Sequence, residues 1–229
     1  MSMTGLSGRS INSGEKHNML KGIDELAFKG TTTIGAIGRE GVILASDTRV
    51  TMGPLIVHKR GRKIYKVDDH LAMTIAGVVA DAQKAVAILR ANARIYRIQR
   101  RKAIPVKAAA RLLANLLFSY RLFPLRTQII IGGIDDYGPH ILSIDPFGSI
   151  TEEKYVASGS GSPIAYGILE ERFREESSLR ELLPVVCLAL RSAMKRDVAT
   201  GDDLEVAVID KDGYRELSIE EKNRILEAL

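Results

Sequence analysis

From Thr31 onward the chain alternates between short β-branched runs and longer stretches whose apolar residues recur at helical spacing. The runs 31–38 and 42–47, joined across Arg39-Glu40-Gly41, read as a β-hairpin. A turn-rich piece through Gly53-Pro54 and Gly61 leads to short strands expected over 63–67 and 71–75. Two helices are expected next, over 79–101 and 105–120. The second carries proline in its first turn, stops ahead of Pro124 and has an inner face of Leu112, Leu113, Leu116, Leu117 and Tyr120. Strands return at 128–132, 140–144 and 154–157, separated by clusters of glycine, aspartate and proline. Helices follow near 165–176 and 179–195, with Pro184 expected to kink the latter or to mark its true start. Strands over 204–209 and 214–217 precede a short helix from Ile219.

The order is strands, helix pair, strands, helix pair, strands, without regular strand–helix alternation. That order predicts an α+β domain: a four-layer αββα sandwich in which two antiparallel sheets pack face to face between helix pairs. Residues 1–30 differ in character. Ser, Gly and Asn dominate through residue 18, and only Ile23, Leu26, Ala27 and Phe28 look packable. This segment reads as a flexible or removable leader ahead of one domain at 31–229.

Composition narrows the setting. No apolar run approaches the roughly 18 to 20 residues that span a bilayer, and the N-terminus lacks the basic-then-apolar layout of a secretory signal. A cytoplasmic location with no membrane partner is expected. The single cysteine, Cys187, excludes an internal disulfide and reads as a small buried hydrophobe. A net charge of +5 raises the question of nucleic acid. However, Arg90, Arg94, Arg97 and Arg101 lie at helical spacing opposite Val86, Leu89, Ala93 and Tyr96. That is an amphipathic helix with a solvated or subunit-facing basic stripe, so no nucleic-acid partner is expected. His17, His58, His70 and His140 show no ligand spacing, so no metal or other cofactor is implied.

Candidate chemistry begins at Lys29-Gly30-Thr31-Thr32-Thr33-Ile34-Gly35. A glycine before a threonine that opens a strand suits self-cleavage, because Gly30 can adopt a strained turn for attack by the Thr31 hydroxyl on the preceding carbonyl. Cleavage would expose an α-amine on the residue that carries the hydroxyl. With a reference pKa of about 7.7 to 8, that amine can accept the hydroxyl proton near neutrality. Three threonines in a strand can equally be β-branched filler.

Further motifs stand in order along the chain: Ala45-Ser46-Asp47-Thr48-Arg49-Val50, Gly61-Arg62-Lys63-Ile64, Thr74-Ile75-Ala76-Gly77, Ser158-Gly159-Ser160-Gly161-Ser162-Pro163, and Lys195 through Asp202. With these in place, the chain from Thr31 to its end resembles the proteasome β subunits, the archaeal ones most closely. The resemblance implies the N-terminal nucleophile hydrolase fold and a threonine-type endopeptidase made as a zymogen. Its nucleophile would be Thr31, its acidic partner Asp47 and its lysine Lys63. Ser160 and Asp197 would hydrogen-bond around the threonine amine, and Gly77 would supply an oxyanion-hole amide. Thr200 stands where the family usually has serine; it keeps the hydroxyl but restricts its rotamer.

A lysine ammonium beside the hydroxyl would stabilise developing alkoxide and disfavour protonation of the nearby amine, and Asp47 would hold that lysine by a charge-assisted hydrogen bond. The backbone N–H of Gly77 can approach an oxyanion closely because no side chain intervenes. The substrate pocket would fall on Val50, Ile75 and Val79 with Gln83 deeper, an apolar lining with a modest preference for hydrophobic side chains. The family's partners would be other β subunits in a seven-membered ring, flanking α-subunit rings, an ATPase regulator acting through them, and unfolded protein substrates. The alternative within the family is a noncatalytic or partner-activated structural β subunit. Such subunits usually lack the threonine or the lysine, and both are present here.

Overall fold

In a computed structural model, residues 30–229 are described. The leader expected over residues 1–30 therefore lies, apart from Gly30, outside the described residues. Two five-stranded antiparallel sheets form the centre of the domain. The first has the order β10 (Tyr155–Gly159), β1 (Thr32–Gly38), β2 (Gly41–Asp47), β11 (Leu204–Asp210) and β12 (Gly213–Glu216). The second runs β5 (Ile64–Asp68), β6 (Leu71–Gly77), β7 (Thr127–Asp135), β8 (Gly138–Ile144) and β9 (Ile150–Glu152).

Strand alternation sorts the side chains into three apolar layers. Val42, Leu44, Ala207 and Ile209 meet Ile64, Ala72, Ile130 and Ile141 between the sheets. On its other face, the second sheet presents Leu71, Met73, Ile129 and Ile131 to helices α1 (Val79–Arg100) and α2 (Val106–Ser119). The first sheet presents Ile34, Ile43, Val206 and Val208 to α3 (Ser162–Arg172) and α4 (Leu179–Arg196), with α5 (Ile219–Glu227) packed beyond. The four-layer αββα sandwich expected from the sequence is the fold observed, with a third helix added on the first sheet's side.

The basic stripe of α1 is exposed as expected: Arg97 pairs with Asp68 at 2.6 Å, while Val86, Leu89 and Ala93 are buried. Within α2, Leu113 and Leu117 are buried with small residues such as Ala109 and Ala110, and Leu112, Leu116 and Tyr120 are only partly buried. Three features depart from expectation. The turn-rich piece after Val50 holds an exposed ribbon of β3 (Val50–Met52) and β4 (Leu55–His58), and β9 went unforeseen. Helix α3 begins at Ser162 and ends at Arg172, before the expected Glu176. Helix α4 starts at Leu179 as expected, so of the two places open to Pro184 it takes the one inside the helix; the start is set by Ser178, whose hydroxyl accepts from Glu181 N in a reciprocal capping box.

Candidate active site

Three strand ends converge where the hairpin β1–β2 leaves the first sheet and β5 enters the second. Thr31 immediately precedes β1, Asp47 closes β2, and Lys63 immediately precedes β5. All three side chains are buried, Asp47 with no exposure at all. The Thr31 hydroxyl donates to Asp47 Oδ1 at 2.6 Å, Lys63 Nζ donates to the same oxygen at 2.6 Å, and Lys63 Nζ also donates to Thr31 Oγ1. Asp47 is held in turn by backbone donors: Thr32 N on Oδ1 at 3.0 Å, and Arg49 N at 3.1 Å and Gly201 N at 3.0 Å on Oδ2. A carboxylate fixed by that many N–H groups is a rigid counter-ion for the lysine. The pairing of Asp47 with the Arg49 side chain that sequence proximity allows is not made; that guanidinium binds Asp202 at 3.0 Å and the Val198 carbonyl at 2.8 Å.

Burial pulls the Lys63 pKa below the ordinary 10.5; the Asp47 charge and hydrogen bond oppose that, and the Glu205 charge does so more weakly. The ammonium therefore depends on its carboxylate neighbours.

A second hydrogen-bond chain reaches the backbone nitrogen of Thr31. That nitrogen donates to Ser160 Oγ at 3.2 Å, and Ser160 Oγ donates to Asp197 Oδ2. Asp197, the C-cap of α4, also accepts from Thr200 Oγ1, which meets Thr32 Oγ1 at 2.8 Å. Thr200 thus touches the network through Asp197 and Thr32 and makes no bond to Thr31. Gly159 forms part of the seat: its φ of +89° and a hypothetical Cβ only 2.0 Å from the Thr31 carbonyl oxygen leave room for glycine alone.

A Cβ at Gly30 would lie 1.9 Å from Ala199 Cβ, so close packing requires glycine at this position. Gly77 does adopt a positive φ, +130°, where a Cβ would meet the Arg126 carbonyl at 2.1 Å. Thr31, Lys63 and Gly77 line one open cleft of about 760 Å³, together with Val50, Ile75, Val79 and Gln83. Every pocket residue read from the sequence therefore borders the cleft that contains the Thr31 hydroxyl. Within it Ile75 is buried and Val79 exposed.

The sequence model of the family described as "Proteasome subunit" matches residues 27–209, most of the chain. The chain belongs to the proteasome subunit family. Its relatives include proteins named proteasome subunit beta. The one from Methanocaldococcus vulcanius is 50% identical over 201 residues, covering 87% of this chain and 90% of the relative. That from Methanothermobacter thermautotrophicus is 44% identical, covering 90% and 99%, and that from Archaeoglobus profundus 45%, covering 92% and 99%. Similarity to archaeal β-type subunits thus spans nearly the whole of both chains.

In this proteasome subunit no group of His, Cys, Asp and Glu among the described residues could hold a metal ion, and no described helix is long and apolar enough to cross a membrane. Cys187 is buried, with its thiol pushed up to about 11 by desolvation. One charged group at the site escaped sequence reasoning. Glu205 accepts from the backbone N–H groups of Lys63 at 3.0 Å and Ile64 at 3.1 Å. The available signal was its phase: in β11 it alternates with Leu204, Val206 and Val208, which face the helices, so it falls on the inter-sheet side with Ala207 and Ile209.

Proposed function

We propose that this subunit is a threonine-type endopeptidase of the 20S proteasome core, activated when the chain cleaves itself between Gly30 and Thr31. The observation that carries the reading is the buried contact of Thr31 Oγ1 with both Lys63 Nζ and Asp47 Oδ1. A hydroxyl that donates to a carboxylate while accepting from an ammonium is polarised towards alkoxide, and the ammonium stabilises the charge that develops on attack.

In the full chain Thr31 N is a peptide amide and has no basic lone pair. Hydrolysis of the Gly30–Thr31 bond makes it an amine at the position now bridged by Ser160 to Asp197. That amine takes the Thr31 hydroxyl proton as Oγ1 bonds to the scissile carbonyl carbon, and returns it to the departing substrate amine when the C–N bond breaks. Water then hydrolyses the resulting ester by the same proton path. The Gly77 N–H is assigned to the oxyanion, and Val50, Ile75, Val79 and Gln83 to the side chain preceding the scissile bond. The subunit works in a seven-membered β ring between α rings, on unfolded chains fed by an ATPase regulator in the cytoplasm.

The test is Thr31→Ala in the assembled particle. The variant should keep its leader and lose peptide hydrolysis completely; hydrolysis at the parent rate would refute the assignment. A ring component without activity of its own predicts no turnover from the unaltered protein either.

A further inference from the structure

The lysine is oriented by more than Asp47. Lys63 stands at the mouth of β5, an edge strand among the described residues, and no described strand lies beyond it to accept its outward N–H groups. Those groups are met from the opposite sheet. Glu205, on β11, accepts from Lys63 N at 3.0 Å and Ile64 N at 3.1 Å, both on Oε2. Ser46 Oγ, on the strand that ends at Asp47, donates to the same oxygen at 3.4 Å, and Arg62 Nε lies 3.4 Å from Oε1. The Glu205 side chain is only 15% exposed. A carboxylate this far from water, on the inner face of a sheet, costs folding free energy unless its hydrogen bonds repay desolvation. Here the partners are the backbone of one active-site residue and the strand that carries another.

We propose that Glu205 is a positioning residue for Lys63: it ties the start of β5 to the first sheet so that Lys63 Nζ meets Thr31 Oγ1. This rests on the reading of Lys63 as the group that activates Thr31. Glu205 acts in two ways. Its hydrogen bonds fix the Lys63 backbone, from which the side chain reaches across to Asp47, and its charge favours the ammonium form. The charged and titratable groups that bear on Lys63 are Asp47 at the end of β2, Glu205 on β11, Arg49 after β2 and, once freed, the α-amine of Thr31 before β1. Asp47 and Glu205 raise the lysine's pKa, whereas burial and Arg49 lower it.

The test is peptide hydrolysis by assembled particles of Glu205→Gln across pH, with maturation checked by intact mass and Lys63→Ala run in parallel. Glutamine keeps the shape and one acceptor oxygen but not the charge. The expected result is a kcat about tenfold lower with KM within about twofold, and an alkaline limb of kcat displaced to lower pH by roughly 0.5 units, because Lys63 loses its proton sooner. A structural role alone lowers thermal stability and leaves that limb where it is. A profile that overlays the parent's, in a protein for which Lys63→Ala is inactive, overturns the positioning role while the lysine assignment stands. Turnover by Lys63→Ala overturns both. Should Glu205→Gln fail to assemble, Glu205→Asp carries the test. It keeps the charge but withdraws it by one methylene, so kcat should fall severalfold with the alkaline limb unmoved; parent-like kcat overturns the proposal.

Discussion

Replacing Asp47 by asparagine preserves the shape of a wholly buried side chain, removes its charge and turns one of its acceptors into a donor. Both oxygens are already committed, Oδ1 to Thr31 Oγ1, Thr32 N and Lys63 Nζ, and Oδ2 to Arg49 N and Gly201 N. Whichever way the new amide turns, its NH2 faces donors. A buried donor left unmade costs about 1–3 kcal/mol, and breaking a buried ion pair from one side about 3–5 kcal/mol. Lys63 limits the second cost by releasing its proton, since Asp47 is the strongest influence opposing the effect of burial. A net destabilisation of about 4 kcal/mol is therefore expected, which for a domain of about 200 residues lowers Tm by about 8–16 °C. The neutral amine left at Lys63 no longer stabilises alkoxide, and kcat should fall by about 100-fold or more. Differential scanning fluorimetry and peptide hydrolysis on the same preparation read both quantities. An Asp47→Asn particle with Tm within about 2 °C and kcat within about twofold of the parent would refute the reasoning.

Three further outcomes follow from the geometry. Gly30→Ala drives a methyl into Ala199 Cβ, so the leader should be removed at least about tenfold more slowly, read as precursor remaining on a gel; unchanged processing would show that Gly30 is not packed as described. Because burial lowers the Lys63 pKa, turnover that uses the ammonium should decline as pH rises through a value below 10.5, and a rate constant to pH 10.5 would contradict the charged role. Stability moves the opposite way: the unfolded chain holds this proton over the interval that the folded one does not, so the Lys63 contribution makes stability rise with pH there. Cys187, buried with a thiol at about 11, should resist alkylation by iodoacetamide in the native state at pH 8 and react once the protein is unfolded.

How much of this was legible in the sequence depended on the range of the forces involved. Strands β1 and β2 announce themselves as continuous apolar runs because both their faces are buried, and helices α1 and α4 because the apolar period along each is set by a single buried face. The ribbon β3–β4 does not: β4 is exposed throughout, so Leu55-Ile56-Val57-His58 carries no in-out alternation. Strand β9, three residues long and mostly exposed, is illegible for the same reason. The early start of α3 was available, since Pro163 follows Ser162 in a first turn where proline is tolerated.

The site divides in the same way. Thr31 with its preceding glycine could be singled out locally, but nothing short-range links Asp47 to a lysine 16 positions away; resemblance supplied that pairing, and the 2.6 Å contact between them agrees with it. The close packing of Gly30 was not legible locally, because the atom that excludes a Cβ belongs to Ala199, far off in the chain. Glu205 went unread because only its phase in β11 marks it; its partners are backbone N–H groups on another sheet, which leave no trace in their own residue identity.

On the proposed reading Thr31 becomes the chain's first residue and its nucleophile. N-terminal sequencing of the β chain from particles actively hydrolysing peptide tests it most directly. The sequence Thr-Thr-Thr-Ile-Gly should be read from the active material, and an active particle whose chains all begin upstream of Thr31 would contradict the account.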